Sequence, residues 1–259
     1  MGKFIEIKQK GSITEVVLNR PETYNAFNFE MITELAKHLT QLAMDNSVRG
    51  VSITGMGKAF CAGGDLKWAI ESAENASSSF HALASQLHLS IVEIRRMKKP
   101  VVAAINGIAA GAGFSLVLAC DFRIMEKSAI LKQAYTSNGL CIDGGGTFTL
   151  PRIVGLSRSL EIAAFDEPIS SAQALEWGLA TKIVKDGTAL EEANVMLDKL
   201  IEKSNYSFGW SKRLITDSFN NSLESHLEFE REGLSDCANH VDGQEGLKAF
   251  IEKRKPIFW

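Results

Sequence analysis

Cysteine is scarce in this chain, with four in 259 residues, and the four are scattered. Cys61, Cys120, Cys141 and Cys237 form no Cys-x-x-Cys pair, so neither a disulfide framework nor a structural zinc site is indicated. No apolar run approaches the roughly 18 residues of a membrane-spanning helix. Residues 1–10 hold no apolar stretch of signal-peptide length. These absences point to free thiols and a cytoplasmic protein with no membrane partner, the earlier removal of a transit peptide being left open. Charge of one sign is also lacking. The net charge is −3, and without a dense basic stripe a nucleic-acid partner is not expected. Neither a Gly-x-Gly-x-x-Gly run nor a Gly-Lys-Ser/Thr ending is present, which disfavours dinucleotide binding and nucleotide hydrolysis.

What is present is a chain with 45% hydrophobic residues, enough for a sizeable core. Its first two thirds alternate strand and helix signals. Ile5 and Ile7 sit among charges, and residues 13–18, 48–53 and 101–105 are rich in β-branched residues, as strands are. Residues 121–125 and 129–133 read the same way. Ile32, Leu35, Leu39 and Leu42 recur at helical spacing, as do Phe80, Leu83, Leu87, Ile91 and Ile94. A further helix is expected to open within residues 109–118. From about residue 170 onward the signals are helical: 172–178 capped by Ser171, then 189–204, 207–219, 223–238 and 243–253. An α/β core followed by a helical tail is the coarse reading, divided as residues 1–190 and 191–259.

Two glycine-rich turns follow strands: Phe60-Cys61-Ala62-Gly63-Gly64-Asp65-Leu66, and the run from Asn106 to Ser115 holding Gly111-Ala112-Gly113. A strand-to-helix turn of small residues exposes unpaired amide N–H groups and lets a ligand approach the backbone closely. Two such turns can aim two donors at one oxygen, the requirement for an oxyanion hole. Each turn alone is better explained as a tight bend or close helix packing. A third turn carries Asp143 ahead of Gly144, Gly145 and Gly146. Alone it reads as structural, but a carboxylate placed against apolar walls suits proton transfer. Asp65 reads as a helix cap. His81 and His88, seven apart on one helix face, read as exposed or packed rather than catalytic. Trp68 and Phe80, and Phe208 and Trp210 further on, are candidates to shape a ligand pocket or simply fill the core.

Taken in order, Asn19-Arg20-Pro21 with Asn25-Ala26, the 60–67 turn, Lys99 to Gly107, Ala119-Cys120-Asp121, Gly144 to Thr147 with Pro151-Arg152, and Glu245 to Phe250 resemble the crotonase family, also called enoyl-CoA hydratase/isomerase. The resemblance covers nearly the whole chain. It implies a spiral of ββα units with a C-terminal helical region used for trimer assembly, as a homotrimer or a hexamer of two trimers. It implies an acyl-CoA substrate with no separate cofactor and no metal. It also implies thioester binding by the Ala62 and Ala112 amides, with coenzyme A along the first turn near Ala26 and its phosphates near Lys253-Arg254-Lys255. The substrate-binding set expected on this basis is Ala26, Cys61, Gly63, Gly64, Asp65, Leu66, Trp68, Gly111, Gly113, Ser115, Tyr135 and Leu140.

Typical hydratases of that family carry two glutamates, which would fall at Ser115 and Tyr135. Neither is acidic here, whereas Asp143 falls where certain isomerases carry an aspartate. The resemblance therefore implies an acyl-CoA isomerase that moves a double bond, of the enoyl-CoA or ring-epoxide phenylacetyl-CoA kind, with Asp143 as acid and base. Hydration, thioester hydrolysis or dehalogenation using Asp143, and acyl-CoA binding without catalysis, are the alternatives.

Overall fold

The computed structural model describes residues 4–72 and 75–258. The outer ends of the expected regions 1–190 and 191–259, residues 1–3 and 259, lie outside the described residues. Two sheets organise the chain. The larger has β1 (Ile5–Lys10), β2 (Ile13–Leu18), β3 (Gly50–Gly55), β5 (Val101–Ile105), β7 (Phe122–Glu126) and β10 (Lys182–Val184), side by side in that order. Only the β1–β2 hairpin is antiparallel. β2, β3 and β5 are buried throughout, which matches their mostly β-branched and small-residue composition. The smaller sheet runs β4 (Ala59–Cys61), β6 (Ile108–Ala110), β8 (Ile130–Lys132) and β9 (Ile169–Ser170).

The two sheets are connected in a repeating way. β3 leads into β4 and then helices α2 (Leu66–Glu71) and α3 (Ala76–Arg96). β5 leads into β6 and α4 (Ala112–Ala119), and β7 into β8 and α5 (Gly146–Phe165). Each of these three strands of the large sheet thus hands the chain to a short strand of the small one, which releases it into a helix. This is the expected spiral of ββα units. Helix α1 (Phe29–Met44) is capped by Asn28, whose side chain accepts from Met31 N–H at 2.9 Å. Its buried face of Met31, Ile32, Leu35, Leu39 and Leu42 packs toward α3.

Several expectations are corrected. Helix α4 opens among the glycines as expected, but residues 108–110 ahead of it form the unanticipated strand β6, whose backbone pairs with β4 and β8. Helix α6 (Ser171–Glu176) is capped by Ser170, not Ser171. Gln173 N–H bonds the Ser170 hydroxyl, and the Gln173 side chain returns to Ser170 N–H at 3.0 Å. α5 was not expected at all. It contains Pro151 and bends at Gly155, whose φ of 78° breaks the helical ladder. The boundary at 190/191 cuts helix α7 (Ala189–Leu200). That helix belongs to the core, since Ala189, Ala193 and Leu197 pack against Val102, Ala104 and Ile124 of the large sheet.

Beyond α7 come α8 (Asn205–Asp217), α9 (Leu223–Asn239) and α10 (Val241–Ile251). A buried ion pair fastens α8 to the core. Lys212 Nζ lies 2.8 Å from Asp121 and donates to the Ile94 carbonyl at 2.7 Å, while Asp121 also accepts from Val101 N–H at 2.8 Å. Among the described residues, no helix is long and apolar enough to cross a membrane.

Candidate active site

The first turn is shaped by the loop before α1. Tyr24 and Asn25 both take left-handed backbone conformations. Asn25 holds that loop to β4, donating to the Ala59 carbonyl at 2.9 Å and accepting from Arg20 N–H at 2.8 Å. Its placement presents the Tyr24 carbonyl to the turn, where it accepts the Ala62 amide at 3.0 Å. The expectation that Ala62 donates to a ligand is thereby corrected: its N–H is already occupied. Phe27 pairs across the same turn, with Phe27 N–H to the Gly63 carbonyl at 2.7 Å and Asp65 N–H to the Phe27 carbonyl at 2.9 Å. Between these two bonds the Gly64 N–H has no acceptor among the described residues.

The second turn ends at Gly111, whose φ of 52° and ψ of −124° are accessible to glycine, and Ala112 then opens α4. The Ala112 N–H is the first of the helix, where no intrahelical acceptor exists. The two turns touch. A Cβ on Gly63, itself at φ +101°, would lie 2.9 Å from the Ala110 carbonyl and 3.3 Å from Ala112 N. Any side chain there would therefore crowd the second donor.

Both turns face a cavity of about 540 Å³, walled by Phe27, Ile32, Phe80, Leu83 and Leu87. Among the described residues, Asp143 is the one carboxylate that lines it. The third turn is fixed by Ser115 of α4, whose hydroxyl donates to the Asp143 carbonyl at 2.6 Å. The Asp143 side chain is not enclosed by apolar groups as expected. It is 33% exposed and lies 2.6 Å from His88 Nε2 on α3. His81 lines the same cavity. The seven-residue spacing that puts both histidines on one helix face is the sequence signal for this, and His88 is exposed, one of the two states expected for it.

Six of the expected binding residues do not line the cavity, each for a visible reason. Ala26 is buried, its carbonyl bound by Arg20 at 2.8 Å. Cys61 is fully buried beside the Gly63 backbone, and burial pushes its thiol up to about 12. Asp65 caps α2 through Trp68 N–H at 3.0 Å and pairs with Arg20 at 2.8 Å. Burial works against its charge, yet these donors hold its carboxyl below the usual range. Trp68 stacks on Phe29. Gly113 lets α4 press on β4, since a Cβ would sit 2.3 Å from the Cys61 carbonyl. Ser115 is engaged with Asp143. Ala62, Gly63, Gly64, Leu66, Gly111, Ala112, Tyr135, Leu140 and Asp143 do line the cavity.

The Tyr135 hydroxyl is buried and unbonded beside Ser115 and Asp143. Burial first, and the Asp143 charge second, push its phenol well above the usual value, so it stays neutral. Farther out, Phe208 does not line the cavity, and Trp210 lines a different one. Arg254 and Lys255, expected near phosphates, are paired instead with Glu245, Glu252 and Glu202.

The family described as enoyl-CoA hydratase/isomerase matches residues 8–259. Over 251 residues the chain is 35% identical to the 1,2-epoxyphenylacetyl-CoA isomerase of Escherichia coli K12, covering 96% of this chain and 95% of that protein. Crystal structures of enoyl-CoA hydratases from Polaromonas sp. JS666 and Bacillus anthracis are similar throughout. Their TM-scores are 0.90 and 0.91, at 34% and 33% identity, over 98% of this chain and 99% and 98% of theirs.

Proposed function

From a chain that belongs to the enoyl-CoA hydratase/isomerase family, we propose an acyl-CoA isomerase whose thioester oxygen binds the Gly64 and Ala112 amides and whose single acid/base is Asp143. The observation that carries this reading is that Asp143 is the only carboxylate lining the cavity among the described residues. The two amides stabilise negative charge on the thioester oxygen, which acidifies the α proton. Asp143 takes that proton, the electron pair moves through the enolate, and Asp143 returns the proton at the γ carbon. The double bond moves, no atom is gained or lost, and no cofactor enters. His88, hydrogen-bonded to one carboxylate oxygen, leaves the other free for the proton and acts as a positioning residue.

Hydration is the less supported reaction. Ser115 is bonded to the Asp143 carbonyl, and Tyr135 remains a neutral phenol. Neither can serve as the carboxylate base that activates water. The E. coli relative's name, an epoxyphenylacetyl-CoA isomerase, favours an oxygenated ring as the acyl group. The test is a panel of enoyl-, aryl- and epoxy-acyl-CoA esters followed by mass spectrometry and NMR. An isomer of unchanged mass is expected; a product heavier by one water would overturn the reading.

The His88–Asp143 contact supports one second reading. Asp143 would displace halide from an aryl-acyl ring to form an ester, and His88 would deprotonate the water that attacks the Asp143 carbonyl carbon and frees the hydroxylated ring. Single turnover in oxygen-18 water distinguishes the two, because only this route labels the Asp143 carboxylate. We further propose that α9 and α10 assemble trimers, supported by exposed Leu234, Val241, Phe250 and Ile251. Sedimentation should give a trimer or hexamer mass, and a monomer at micromolar concentration would exclude it.

A further inference from the structure

A second cavity of about 560 Å³ lies between the C-terminal end of α3 and helices α8 and α9. It shares no lining residue with the first. Its walls are closely built. Gly209 of α8 rests on Lys98, where a Cβ would come within 2.8 Å of the Lys98 side chain. Gly233 of α9 lies flat under the Trp210 indole, where a Cβ would meet Cε3 at 2.8 Å. The indole N–H donates to Asp236 at 2.9 Å, so the ring is held as a fixed wall. The opposite wall is Phe148 at the start of α5.

The chemistry of the lining is cationic. Arg95, Arg96, Lys98 and Arg213 face the space, against Asp217 and Asp236. Asp236 is already bonded by the Tyr206 hydroxyl and the Trp210 indole. Arg95 and Arg152 both sit on the Phe148 ring, 5.3 and 3.5 Å from its centroid, and Arg213 lies 5.4 Å from the Trp210 ring. Among the described residues, none of these arginines forms an ion pair with a carboxylate. Burial, then repulsion from Arg152, outweighs the more distant Asp121 and Asp217 and holds the Arg95 guanidinium below its usual value. Two like charges on one ring is an arrangement that a bound anion would relieve.

We infer that this cavity is a second ligand site, distinct from the acyl-CoA cavity, for a phosphate-bearing anion attached to a planar ring, the chemistry of a nucleoside diphosphate. The phosphates meet the fork of Arg95, Arg96 and Arg213, for which guanidinium geometry is suited. The ring lies between Trp210 and Phe148. Binding is not coupled to hydrolysis, since the lining offers no glycine loop of the nucleotide-hydrolysing kind.

Calorimetry on the full chain with ADP, and separately with inorganic diphosphate, tests this. ADP should bind saturably, one per chain. The double variant Arg95→Gln/Arg213→Gln should weaken it by at least about tenfold. Thr216→Glu, which adds a carboxylate to the lining, should do the same and keeps the test valid if the double variant misfolds. Ala84→Trp, which fills the first cavity, should leave ADP affinity unchanged. Absence of saturable binding, indifference to both lining variants, or loss of binding in Ala84→Trp would each overturn the site. Diphosphate binding as tight as ADP would remove the ring from the proposed ligand.

Discussion

The two sides of the first cavity are built from different materials. On one side, the turns at residues 60–66 and 111–115 present main-chain N–H groups, fixed by main-chain pairing and by glycines where no Cβ fits. On the other, Asp143 and its surroundings are side chains held by side-chain bonds, to His88 and from Ser115. The donor side is over-determined: its geometry fails only if the fold shifts. The Asp143 side can be dismantled one group at a time. Chemistry in this molecule should therefore respond to substitution on one side and stability on the other.

The sharpest test is Asp143→Asn. Activity should fall by about 10²–10⁴-fold, the range of a lost general acid/base, with the melting temperature little changed. Full activity in that variant would remove Asp143 from the chemistry. On the donor side, Gly113→Ala places a methyl 2.3 Å from the Cys61 carbonyl. It should cost about 3 kcal/mol of stability in denaturant titration, as overpacking does. A fully stable Gly113→Ala would show that the donor side yields more than its packing implies.

Smaller effects refine the contrast. Ser115→Ala leaves the Asp143 carbonyl without its donor and should cost about 1–2 kcal/mol, read as lower kcat with nearly unchanged KM. His88→Ala should alter the pH profile of kcat/KM while leaving stability within about 0.5 kcal/mol, because His88 is largely exposed. An unchanged profile would exclude a positioning role. Asp65→Asn probes the donor side through its helix cap and should cost about 1 kcal/mol at neutral pH. The folded carboxyl is held below its ordinary value. Its stabilisation is therefore complete above the unfolded value, near pH 4, and is lost as pH falls through the folded one. The gap between wild type and variant should be flat from pH 6 to 8 and close below about pH 4.

The same division explains what could be read from the sequence. β2 and β5 appear with the expected bounds because short, fully buried, β-branched strands carry their signal in composition. The three turns were visible for a similar reason. Which amide in the first turn is free was not visible. That depends on the Tyr24 carbonyl, placed by two left-handed residues and the side chain of Asn25, 34 residues from its partner at Ala59. β6 was hidden because its pairing partners are distant in sequence. α5 was hidden because its glycines and Pro151 read as breakers, while tertiary packing sustains two helical pieces across the Gly155 bend. The His88 contact joins residues 55 apart and has no local signature.

The buried bond from Lys212 to Asp121 has a consequence for how the molecule comes apart. Detaching α8 would carry Lys212 away and strand the Asp121 carboxylate beside the start of β5, and an unpaired buried charge is destabilising by several kcal/mol. α8 should therefore not fray with the terminus but unfold together with the large sheet, as one cooperative unit. In native-state hydrogen exchange its amides should share the slowest opening rate of the protein. The stretch of chain up to residue 217 would then be inseparable from the two-sheet body.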